Sequence, residues 1–198
     1  MAAQDEAEQS SASACQKPYV GSGETSLWEA LHDSRLRRVE SCTKSSTTLL
    51  EFEIPHLTKF HHMAEETRFL ISFHAVDSLF AETPPDWNEI ESRLNGGSEE
   101  AWIYEATLLT EPDGKVALKL FGSIDDDSYP SMTIRAAGFS IRTSQGVKLS
   151  LGRFLKYGED YWEAFAARGR ARRAAEAGNE TAGRHSSGTT LGSGGKVW

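Results

Sequence analysis

Between residues 31 and 151 the apolar side chains recur at every second position, which places them on one face of an extended strand. Leu50, Phe52 and Ile54 alternate with Glu51 and Glu53, and Phe69, Ile71 and Phe73 follow the same rule. Val116, Leu118 and Leu120, then Met132, Ile134 and Ala136, and last Val147, Leu149 and Leu151 repeat it. Each run predicts a strand with one wet face, the pattern of an antiparallel sheet. Weaker strands are expected near 36–41 and 102–110.

The strands fall into two sets of three with a shared layout. Leu31 to Leu36 aligns with Ile103 to Leu108, and a polar turn follows in each half: Lys44-Ser45-Ser46, then Glu111-Pro112-Asp113-Gly114. After Phe73 the apolar phase slips to Val76, and after Ala136 it slips to Phe139. A slip within one strand predicts a β-bulge, so two bulges are expected at equivalent places. The fold class expected is all-β, or β-dominated: an antiparallel sandwich of two similar three-stranded halves plus a seventh strand, with short helices at the joints and a C-terminal helix.

Helical spacing marks the joints. Trp87, Ile90 and Leu94 share one face after an Asp86/Glu89 capping pair, and Gly96-Gly97 closes that helix. Ser26-Leu27-Trp28-Glu29 predicts a helical turn at the start of the domain. Tyr157, Tyr161 and Phe165, with Trp162 beside them, predict a C-terminal helix. Residues 1–25 read as a disordered tail, 26–167 as the duplicated β domain, and 168–198 as a basic helix end running into a Gly/Ser-rich tail from Gly178.

Composition narrows the setting. The 198 residues carry a net charge of -8, which argues against a general nucleic-acid binder and suits a basic protein partner. No apolar run has the length of a membrane span, the N-terminal residues lack the pattern of a signal peptide, and the two cysteines, Cys15 and Cys42, have no zinc-ligand spacing. A cytoplasmic address is expected. P-loop, dinucleotide, nucleophile-elbow and kinase signatures are all missing from the chain.

Candidate chemistry is sparse. His56, His61, His62 and Glu65 combine imidazoles and a carboxylate within one short stretch, a donor set suited to a divalent metal, although a solvated loop between two strands is the favoured reading. His32-Asp33, and His74 with Asp77, are candidate acid/base pairs, and Trp28 with His32 and Asp33 forms a candidate binding patch. Asp125-Asp126-Asp127 resembles the opening of an oxygen-ligand cation loop without its later ligands. Arg168, Arg170, Arg172 and Arg173 suit a solvated helix end. No cofactor is expected.

The segment Leu27-Trp28-Glu29 followed by Leu31-His32-Asp33-Ser34-Arg35-Leu36 and a β meander resembles small bacterial β-rich proteins, among them predicted immunity proteins of polymorphic toxin systems. The likeness covers the first half of the chain. It implies an acidic protein that binds and blocks a cognate toxin without catalysis of its own. Alternatives from the residues alone are a metal-dependent or acid/base enzyme and a self-associating structural module.

Overall fold

A computed structural model describes residues 23–97, 99–124 and 130–186. The elements in chain order are β1 (Glu24–Ser26), α1 (Trp28–Leu31), β2 (Ser34–Cys42), β3 (Thr47–Glu53), α2 (Pro55–Phe60) and β4 (Phe69–Ala81). They continue with α3 (Trp87–Asn95), β5 (Ala101–Thr110), β6 (Val116–Ser123), β7 (Ser131–Thr143), β8 (Lys148–Leu149) and α4 (Leu151–Ser186).

The antiparallel, β-dominated reading holds, but the sheet is a barrel and not a sandwich. Six strands run β2-β3-β4-β7-β6-β5, and β5 then pairs back onto β2, so among the described residues no second sheet is left to stack. Each half of the chain supplies one meander of the wall, β2-β3-β4 and β5-β6-β7. Inward residues such as Leu50, Phe52, Phe69, Phe73, Ile103, Leu118 and Ile134 are fully or almost fully buried and fill the interior.

Closure depends on two local features. Gly122 of β6 lies against the Trp102 carbonyl of β5, where a Cβ would stand 2.0 Å from the oxygen. This close approach sits beside the register shift between Ile103 and Glu105. On its other side β5 is shared: Glu24–Ser26 pair with Leu109–Thr107, and Ser34–Leu36 pair with Ile103–Ala101. The rest of β2 therefore has an unpaired edge, and α3 satisfies it. Asn95 accepts from Val39 N at 3.3 Å and donates to Val39 O at 2.5 Å, while Glu91 accepts from Ser41 N at 2.9 Å. Asp86 caps α3 through Glu89 N at 3.0 Å, as the capping pair predicts, and Trp87, Ile90 and Leu94 are its buried face.

Several expectations need correction. The slip after Phe73 is present: Ala75 takes φ 49°, and the β4–β7 register shifts between Val76 and Ser78. No matching shift occurs after Ala136, because Phe139 pairs with Phe73 and Ala136 with Val76 in one continuous register. The two slips face each other across one ladder, so a single bulge resolves both. Glu24 and Thr25, expected in the tail, form β1 because β5 offers them a free edge. Val147 and Leu151 fall outside β8, since Leu151 already starts α4. That helix also runs through Gly178 to Ser186, past the expected start of the tail. The 56–66 stretch is not a simple loop: Pro55 presets the backbone of α2, whose Leu57 is buried in the core. Residues 1–22, Asp125–Asp127 and 187–198 lie outside the described residues. Among the described residues no helix is long and apolar enough to cross a membrane.

Gly122→Ala is expected to lower stability in urea denaturation by about 2–3 kcal/mol, because backbone blocks the added methyl. Asn95→Leu is expected to cost about 1–3 kcal/mol by leaving both Val39 backbone groups unpaired.

Candidate functional site

One end of the barrel is covered by α1, α2 and the first four turns of α4. Phe154 is fully buried and reaches Phe69 at 5.5 Å between ring centres, which anchors α4 over the opening. One turn later Gly158 meets α1, where a Cβ would lie 2.3 Å from Glu29 O. A larger residue would hold the helices apart. The Glu29 carbonyl, left open at the end of the short α1, accepts a hydrogen bond from Trp162 Nε1 at 2.9 Å.

This close approach brings together an aromatic and imidazole cluster. Trp28 stacks on His32 at 4.6 Å and on Trp162 at 5.0 Å. Tyr161 contacts His56 at 4.7 Å, Phe60 at 5.8 Å and Phe165 at 6.2 Å. Trp162 and Phe165 are 5.7 Å apart. Trp28, at 38% exposure, and Phe165, at 56%, carry the cluster out to solvent. Two open grooves flank the α2–α4 contact. The first, about 1020 Å³, lies along Phe60, His61, Trp162 and Arg170; the second, about 580 Å³, along His56, Lys59, Tyr161 and Arg168.

The predicted binding residues Trp28, His32 and Asp33 and the predicted metal residue His56 thus meet at one place, although they are about 25 positions apart in sequence. The remaining metal candidates diverge. His61 donates from Nε2 to the Tyr157 carbonyl at 3.0 Å, His62 turns the chain at φ 52°, and Glu65 is exposed. Among the described residues no three His, Cys, Asp or Glu side chains are grouped to hold a metal. His32 and Asp33 do meet, with Nε2 3.5 Å from Oδ1, while Nδ1 donates to the Tyr104 carbonyl at 2.9 Å. The Nδ1 bond ties the α1–β2 turn to β5. His74 bonds to Ser140 at 3.1 Å, and Asp77 pairs with Lys115 at 2.6 Å, so that pair is not formed.

His56 is the unusual group. Its Nε2 is buried and has no hydrogen-bond partner among the described residues. Desolvation pushes the imidazole pKa down to about 4; the charge of His32 adds to this and that of Asp33 opposes it. Sequence reading found the aromatic helix face and the imidazoles but missed Gly158. Its only signal is a glycine set among Tyr157, Tyr161 and Trp162, where helix–helix contact favours a small residue.

Compared with protein-family models, with curated proteins and with solved structures, the chain matches none.

The unfolded chain takes up a proton on His56 near pH 6.5 and the folded chain only near 4, so this group's contribution to stability is complete above 6.5 and lost as pH falls toward 4. Thermal denaturation followed by circular dichroism should show the wild-type melting temperature falling more steeply between pH 7 and pH 4.5 than that of His56→Phe. Parallel curves would remove His56 as the cause.

Proposed function

We propose that the chain is a protein-binding module that grips one partner along α4 and the two grooves beside it. The carrying observation is Phe165: more than half exposed, it continues the packed row of Phe60, Tyr161 and Trp162 at the point where α4 leaves the barrel. Large rigid aromatics that are supported from behind and open in front are the side chains that carry most binding energy in protein interfaces.

Charge indicates the partner's chemistry. From Phe165 to Glu176 the helix holds four arginines and one glutamate, against a whole-chain charge of -8. Arg168 and Arg170 stand one beside each groove, and the larger groove also holds Asp160 and Glu163 nearer the barrel. A partner surface fitted to this face is therefore acidic and offers an apolar recess for Phe165. The expectation of a basic partner follows the average charge of the chain, and the acidic partner proposed here follows the local charge of the stretch beyond Phe165. Within this class, an inhibitor of the immunity or antitoxin kind remains our narrower proposal, with a cytoplasmic address and an origin of the two meanders by duplication.

A second reading, an acid/base enzyme, has one observation in its favour. His32 and Asp33 lie close enough to His56 to alter its protonation. The use of His32 Nδ1 in holding the Tyr104 carbonyl makes it the weaker of the two.

The test is native mass spectrometry of the full chain purified gently from its own host. The expected species is a heterocomplex of fixed stoichiometry. Phe165→Ala and Arg170→Glu should each weaken it by about 10-fold or more with an unchanged circular dichroism spectrum. A homo-oligomer alone, or a complex indifferent to both substitutions, would overturn the proposal.

A further inference from the structure

The two grooves beside α4 differ in charge. The larger is lined by Asp160 and Glu163 as well as Arg170, so both signs are present there. The smaller, about 580 Å³, is lined by His56, Lys59, Phe60, His62, Tyr161 and Arg168, and no carboxylate is among its described lining residues.

Neither cation of the smaller groove is paired with a described residue. Lys59 is exposed near the end of α2 and makes no ion pair. Arg168 is exposed on α4, and its one hydrogen bond runs from Nε to the Ala164 carbonyl of its own helix at 3.4 Å, so its two terminal nitrogens are bonded to no described residue. The two side chains come from positions 59 and 168 and meet at one hollow only because α4 crosses α2. Like charges beside one hollow repel, and a bound anion replaces that repulsion by attraction to both.

The remaining polar groups suit the same ligand. Tyr161 adds a phenolic donor and His62 an exposed imidazole. His56 forms part of the wall, and its buried Nε2 has no partner among the described residues. As Nε2–H this nitrogen donates, and a buried donor left open by the chain calls for an acceptor from outside it. Lysine and arginine offer donors alone, which selects a ligand group made only of acceptors. A carboxylate brings one charge to two cations; a phosphate monoester brings about 1.5 to 2 at pH 7.

We propose that the smaller groove binds a phosphate group, free or as a small monoester, between Lys59 and Arg168, with His56 and Tyr161 as further donors. The inference rests on the reading of the α4 face as a binding surface and names the chemistry that one of its grooves takes.

The full-length chain is titrated with inorganic phosphate and with phenyl phosphate at about pH 7.5 and low ionic strength, followed by calorimetry and by the histidine ring resonances in NMR. Saturable binding of one phosphate per chain is expected, with a Kd of about 1 mM or tighter and the His56 resonances moving along the same curve. Equal affinities would assign the site to free phosphate and tighter phenyl phosphate binding to an ester, each in support. Lys59→Met and Arg168→Met should each weaken binding by about 10-fold. Lys156→Met, which removes the same charge elsewhere on α4, should leave it unchanged. No saturable binding, or an equal loss in Lys156→Met, would overturn the inference while leaving the heterocomplex from the host to be judged by its own test. Phosphate binding by a chain that forms no heterocomplex would keep the inference and remove the protein partner.

Discussion

Every buried strand edge must find hydrogen-bond partners, and in this barrel that requirement bears hardest on β2. Only Ser34–Leu36 pair with β5, because β1 occupies the far half of the same β5 edge. Val39 and Ser41 would be left open, and α3 supplies the missing acceptors and donor from Asn95 and Glu91. The position of α3 thus follows from the shortfall of the ladder, and so does the burial of Trp87, Ile90 and Leu94 beneath it. With that side sealed by a helix, the opposite end is left to α1, α2 and α4, and the aromatic cluster can form there.

Sequence periodicity conveyed the strands well, since alternation reports burial on one face directly. It did not convey closure. Whether two meanders stack or join depends on pairs such as Ser34 with Ile103 and on a glycine such as Gly122, and neither leaves a periodic trace. The two phase slips illustrate the same limit. Each strand by itself suggests a bulge, and only the pairing of Phe73 with Phe139 and of Val76 with Ala136 shows that one irregularity serves both. At the candidate site, Trp28, His32, Asp33 and His56 were legible singly, as residue types with chemistry. Their convergence was not, because it is made by α4 crossing α1 at Gly158, a contact between residues 129 positions apart.

Charge is distributed unevenly between wall and helix. On the barrel Arg35, Arg37 and Arg68 share Glu53 and Glu100, and Arg135 is held by Glu111 and Asp113. Such pairs contribute little to stability at an exposed surface. On α4 the cluster Arg168, Arg170, Arg172 and Arg173 is followed by Glu176, which meets Arg172 at 2.8 Å.

α4 is continuous from Leu151 to Ser186, while its packing against the barrel is limited to the part that carries Phe154, Gly158 and Trp162. The remainder works as a lever. The 28 residues from Gly158 to Ser186 extend roughly 42 Å, so a tilt of about 10° at the Gly158 fulcrum moves the tip by about 7 Å. Whatever alters the fit of α4 on α1 by a fraction of an ångström is read out, amplified, at a distance comparable to the barrel itself.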